Sequence, residues 1–145
     1  MFGFSGTYLG NANLKPEKSE GWEAGIEQSF LDNAVLVGVT YFNSKLTDKI
    51  SSTGFPITTP INTAGVSHQD GVELFAQANL DNGLQIDAAY TYLDGTDGTP
   101  PVQTVRRAKN IASVNVNWSP AKLPLRLNAN VRYNGEQKDN RFPFG

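Results

Sequence analysis

The chain has 145 residues, enough for one ordinary domain, and a formal net charge of −2. That balance argues against a nucleic-acid or anionic-membrane footprint, and the absence of cysteine excludes a disulfide framework and a thiolate metal site. The longest apolar run, AVLVGV at 34–39, is far short of the ~20 residues a membrane-crossing helix needs. The mean hydropathy of −0.37 would pass as soluble. Neither observation speaks to transmembrane strands, which need only ~9–11 residues with every second one apolar. The opening MFGFSGTYLG has no basic region and no long apolar run, so it does not read as a secretory signal.

Period-2 alternation dominates the chain, and six strands are expected in an all-β, antiparallel arrangement. The first covers about 19–30, the second 34–48, the third 64–80, the fourth 84–94, the fifth 105–118 and the sixth 125–138. LDN (31–33), DNG (81–83) and SPAKLP (119–124) are short connections. DNG is a strong hairpin signal, because Asn and Gly tolerate positive φ. The segments 49–62 and 95–104 and the tail from Asn134 are longer. Short and long connections alternate, so antiparallel order gathers the short turns at one end and the long loops at the other.

Each strand has one apolar face. In chain order these faces are Trp22, Ala24, Ile26, Phe30; Val35, Val37, Val39, Tyr41; Val72, Leu74, Ala76, Ala78, Leu80; Leu84, Ile86, Ala88, Tyr90, Tyr92; Ala112, Val114, Val116, Trp118; and Leu125, Leu127, Ala129, Val131, Tyr133. The opposite faces carry Glu, Gln, Asn, Asp, Ser, Thr, Arg and Gly, with Leu36, Phe42 and Phe75 as exceptions. Within the apolar faces the aromatics sort to the strand ends. Trp22, Tyr41, Tyr90, Tyr92 and Tyr133 fall at the long-loop end, and Phe30 and Trp118 at the short-turn end. Amphipathic rings at both ends of an aliphatic band are what two membrane–water interfaces select. The expectation is a transmembrane β-barrel segment with periplasmic short turns and extracellular long loops. GWE at 21–23 and GVE at 71–73 repeat faintly, as hairpin repetition would produce.

Catalysis finds little support. His68 and Asp70 in SHQDG lack the further ligands a metal site needs, and read as polar residues near a strand end. No phosphate-binding glycine loop is present. DGTDG (94–98) lacks the spaced acids and closing glutamate of a calcium loop. No cofactor is expected. The polar-face charges Glu23, Glu73, Arg106, Arg107, Arg126 and Arg132 are better candidates, as groups lining a lumen. Arg106 and Arg107 have opposite parity, so a regular strand would turn only one of them inward. Recognition would sit in the long loops, which carry Phe55, Pro56, Pro60, Pro100 and Pro101.

Several stretches in order resemble the barrel of TonB-dependent outer-membrane receptors. NANLKPEKSEGWEAGIEQ (11–28) is similar to that family's NPxLKPExSxxxExG signature. GVTYFNSKLTDKI, NTAGVSHQDGVEL and AAYTYLDGTD resemble the strands that follow. VQTVRRAKNIASVNVNW resembles the RRPxH strand, with Ala108 where proline is usual and Asn110 where histidine is usual. The resemblance covers roughly residues 8–142. It implies a bacterial outer-membrane location and a barrel of roughly 22 strands around a plug domain. It also implies uptake of a scarce ligand such as a ferric siderophore or cobalamin, driven by TonB acting on the plug. The lumen charges would then meet the plug, and the apolar faces outer-membrane lipid. Residues 1–145 would be part of the barrel domain, a fragment lacking the plug and terminal strands. The alternatives are a passive porin, which has no plug, and a soluble β-sandwich binding module.

Overall fold

In a computed structural model of the chain, residues 4–98, 102–103 and 105–139 are described. Pro100 and Pro101 lie outside the described residues. Among those described, eleven strands occur in the order β1 (Phe4–Ser5), β2 (Tyr8–Leu9), β3 (Lys18–Phe30), β4 (Val35–Thr47), β5 (Ile50–Thr53), β6 (Thr59–Asn62), β7 (Val66–Asn79), β8 (Leu84–Asp97), β9 (Val102–Gln103), β10 (Asn110–Trp118) and β11 (Leu127–Asn134). The six expected strands are β3, β4, β7, β8, β10 and β11. They form one sheet in the order β11-β10-β8-β7-β4-β3, with β9 added beside β8. The sheet is open, with β3 and β11 at its edges.

By internal contacts the chain divides into two compact units, one drawn from 22–43, 70–94 and 105–145, the other from 1–21, 44–69 and 95–104. In the first unit the sheet stands as a single layer. Only Gly38, Pro60, Gly71 and Ala108 are buried among all the described residues. A soluble sandwich would enclose the inner faces of two packed sheets. Here the apolar faces of the described strands stay largely exposed. Trp22 is 58% exposed, Ile26 69% and Val131 67%. Among the described residues no helix is long and apolar enough to cross a membrane, which says nothing about crossing by strands.

The second unit holds two small antiparallel hairpins, β1–β2 and β5–β6. A parallel bridge from Tyr8 to Thr58 joins them, with Leu9 N–H donating to Thr58 O at 2.9 Å and Thr58 N–H to Thr7 O at 2.8 Å. The segment 49–62, expected to be a plain loop, therefore contains an ordered hairpin. Pro60 sits in it opposite Ser52. A two-stranded ribbon has an open side on each strand, so a residue without an N–H is tolerated there.

Three strands differ in extent from expectation. The fourth strand runs on to Asp97, where Thr96 and Asp97 pair with Gln103 and Val102 of β9. The fifth begins at Asn110 rather than 105, because the backbone turns at 105–106 and Arg106 adopts φ +60°. The sixth is confined to Leu127–Asn134. Beyond it, Gly135 N–H closes onto Asn110 O at 2.8 Å.

The short turns are tight. Leu31, Asp32 and Asn33 all take positive φ, at 51°, 52° and 69°. In the DNG turn Gly83 has φ +78°, and a Cβ there would strike the carbonyl of Ser119. Both features require glycine. Gly83→Ala is expected to lower stability by at least ~1 kcal/mol. Gly6→Ala, at φ +56° but in open space, should cost less. Denaturant midpoints of the two variants check the order.

Candidate functional site

The strand register places polar residues in rows across the sheet. Gln85, Asn117 and Asn128 lie opposite one another on β8, β10 and β11, and so do Asp87, Asn115 and Asn130. The Asn128 amide donates to Asn117 Oδ1 at 2.7 Å and to Asn115 Oδ1 at 2.9 Å, linking the two rows. Arg132 lies opposite Ser113 on the same face. Gly25 and Thr40 also share this face, since a Cβ on Gly25 would meet Thr40 Oγ1 at 2.6 Å. Glu23 and Glu73 are exposed on it, at the parity of Gly25 and of Phe75.

The proposed lining arginines divide. Arg132 is on β11. Arg126 precedes that strand and is exposed. Arg106 and Arg107 precede β10, so strand parity does not decide where either points. Arg106 Nε lies 3.0 Å from Asp139 Oδ1, and its backbone N–H donates to Lys138 O at 2.7 Å. Arg107 is exposed, and also takes part in an interaction.

On the apolar face the Trp22 and Tyr41 rings contact each other at 5.2 Å between centroids, tilted by 44°. Tyr90 donates its hydroxyl to Asn110 Oδ1 at 2.7 Å. A tyrosine anchored this way keeps its ring on the apolar surface and its polar tip satisfied. Phe30, Tyr92, Trp118 and Tyr133 are also exposed. His68 is exposed, and no group of three or more metal-ligating side chains occurs among the described residues.

The loop side holds a clamp that alternation could not reveal. Asn62, at the end of β6, accepts from Lys15 N–H at 2.8 Å. Its amide group donates to Lys15 O at 3.0 Å and to Asp48 O at 2.6 Å. One side chain thus ties the LKPE stretch to the turn at Asp48. Glu17 completes the tie by accepting from Ile50 N–H at 2.6 Å. Within the same unit Lys49 Nζ pairs with Asp97 at 3.1 Å. The one legible signal for the clamp is that Pro16 and Glu17 stand before a strand, where an extended entry is needed.

Just before β10, Lys109 pairs with Asp94. The hydrogen bond from Asp94, aided by its charge and that of Tyr92, raises the Lys109 pKa above its usual 10.5 and outweighs desolvation. Its stabilising contribution is fully present below 10.5 and fades as pH rises through the raised folded value. The stability difference between wild type and Lys109→Met is expected to be flat at neutral pH and to shrink at strongly alkaline pH. Denaturant midpoints across that range measure it. Asn62→Ala removes three hydrogen bonds and is expected to cost about 1–3 kcal/mol of local stability. Faster amide exchange at Lys15, with exchange in β10 unchanged, is the readout.

Comparison with known proteins places these features. The family model described as TonB dependent receptor-like, beta-barrel, matches residues 1–144. The ferrioxamine receptor of Yersinia enterocolitica is 29% identical over 132 aligned residues, covering 86% of this chain and 18% of that protein. Among solved structures, the FpvAI–pyocin S2 complex is similar with a TM-score of 0.69 at 18% identity, covering 86% of this chain and 18% of that one. The pyoverdine outer membrane receptor FpvA of Pseudomonas aeruginosa PAO1, bound to pyoverdine, gives a TM-score of 0.68 at 16% identity, covering 86% and 19%. The chain spans about a fifth of the length of these relatives.

Proposed function

This chain belongs to the TonB-dependent receptor family, in its β-barrel part, and from that premise we propose that it forms a section of wall in an outer-membrane active transporter. The family is one of receptors in the outer membrane, not of enzymes. The observation that carries the reading is the single-layer sheet, whose apolar face is largely exposed among the described residues. An exposed patch of that extent marks a surface meant for another apolar phase. In a barrel of roughly 22 strands that phase is lipid, and Trp22, Tyr41, Tyr90, Tyr92 and Tyr133 mark one interface and Phe30 and Trp118 the other.

The polar face would then line the lumen. Glu23, Glu73, Arg126, Arg132 and the asparagine rows would meet a plug domain or water. For Arg106 and Arg107, which precede β10, strand parity does not support the same role. The loop unit would contribute to ligand capture at the cell surface. The likeness to ferrioxamine and pyoverdine receptors favours a ferric siderophore over cobalamin. TonB would supply the energy through the plug.

Two measurements test this. Ala76 and Gln77 are neighbours on opposite faces of β7. Single cysteines placed there in the receptor carrying this chain accept spin labels. The Ala76 label should be relaxed by oxygen dissolved in lipid and the Gln77 label should not. Equal access of both labels to a water-soluble relaxant would overturn the wall reading. Uptake of radiolabelled ferric siderophore should be lost when the gene is deleted, and equally when TonB is deleted. Uptake that survives loss of TonB would favour the passive porin.

A further inference from the structure

Three hydrophobic residues break the polar face, and two of them, Phe42 and Phe75, lie over glycines. A Cβ on Gly38 would strike the Phe75 ring, and its three nearest atoms all belong to that ring. A Cβ on Gly71 would strike the Phe42 ring and the backbone carbonyl of Tyr92. Both glycines are buried in a chain where only four described residues are, while both phenylalanines are half-buried. The two contacts are reciprocal: β4 supplies Gly38 and Phe42, and β7 supplies Gly71 and Phe75. Asn79 N–H donates to Ala34 O at 2.7 Å. Counting inward from that bond in antiparallel register puts Phe75 opposite Gly38 and Gly71 opposite Phe42.

We infer that these two ring-over-glycine contacts form a register lock between β4 and β7. The need for one arises where a long connection leaves register open, as it does between β4 and β7. β3–β4 and β7–β8 are joined by tight turns that fix register by their own geometry. β4 and β7 are separated by residues 48–65, which contain a hairpin of their own, so their connection sets no register. A slip by two residues would keep every apolar side chain on the apolar face, so alternation cannot forbid it. The lock can. After such a slip each ring faces a residue with a side chain, and each glycine loses its cover. Filling the groove above a glycine with a cross-strand ring is a known way of pinning register in a sheet. The two halves differ in tolerance: Gly38 is limited by a side chain, Gly71 also by backbone.

The inference concerns strand pairing and stands apart from ligand and energy source. The test uses the receptor carrying this chain, produced in cells, with cross-strand cysteine pairs as register reporters. The chain itself has no cysteine. Val37→Cys with Ala76→Cys reports the native register, as a directly opposed pair between hydrogen-bonded ones and so within disulfide reach. Val37→Cys with Ala78→Cys, or with Leu74→Cys, reports a slip in either direction. The unmodified lock should give the native cross-link alone. Phe75→Ala, which introduces no clash, should divert a measurable share of cross-linking to a slipped pair. Gly38→Ala should reduce receptor in the outer membrane several-fold, and adding Phe75→Ala should restore it. Gly71→Ala should not be restored by Phe42→Ala, because the Tyr92 carbonyl remains in the way. An exclusively native cross-link in Phe75→Ala, or failure of Phe75→Ala to rescue Gly38→Ala, overturns the lock. Absence of the otherwise unmodified receptor from the outer membrane would count against the wall reading instead.

Discussion

Backbone hydrogen bonding between neighbouring strands holds the sheet together, because among the described residues it forms a single layer with almost nothing buried. In a soluble domain the ladder and the core share the work, and the core usually contributes more. Here the core is missing, with Ala108 and Pro60 the only buried apolar side chains besides glycine positions among the described residues. The sheet is therefore cohesive along the hydrogen-bonding direction and dependent on its surroundings across it. In the wall proposed above, lipid would resolve this dependence: it would receive the apolar face, and its lack of water would make each backbone pair costly to break.

The same constraint explains where the polar side chains form bonds. Asn128 links two neighbouring asparagines, so amide groups on the polar face satisfy one another along the sheet. Tyr90 finds Asn110 at the rim. In the loop unit, where alternation lapses, single side chains take over. Asn62 and Glu17 each bind backbone from a distant segment and do there what the ladder does in the wall. Residues with both a donor and an acceptor suit this role, and asparagine recurs in it.

How much of this was legible in sequence follows from which interactions are periodic. The six long strands and their pairing order could be read, because alternation and turn residues are local signals. The β5–β6 hairpin could not, because TPIN carries a proline and too short a pattern. The start of the fifth strand was misplaced because Arg106 enters left-handed φ, which nothing about an arginine announces. The Asn62 clamp joins residues 47 positions apart and leaves no spacing signature. Phe42 and Phe75 were visible only as violations of the pattern. The violation became intelligible once Gly38 and Gly71 were seen beneath the rings. The comparisons establish the family, while the lumen and lipid roles of individual side chains rest on the physical argument.

The two-residue period also imposes a counting rule on the gene. Losing one codon within Lys18–Phe30 would exchange the two faces for every residue on one side of the cut. A substitution alters one environment, but an odd change in length alters a whole half-strand. Drift in length should therefore be better tolerated in the stretches encoding 48–65 and 98–109 than in those encoding the long strands. A lineage could resize its connecting loops while its long strands kept time by twos.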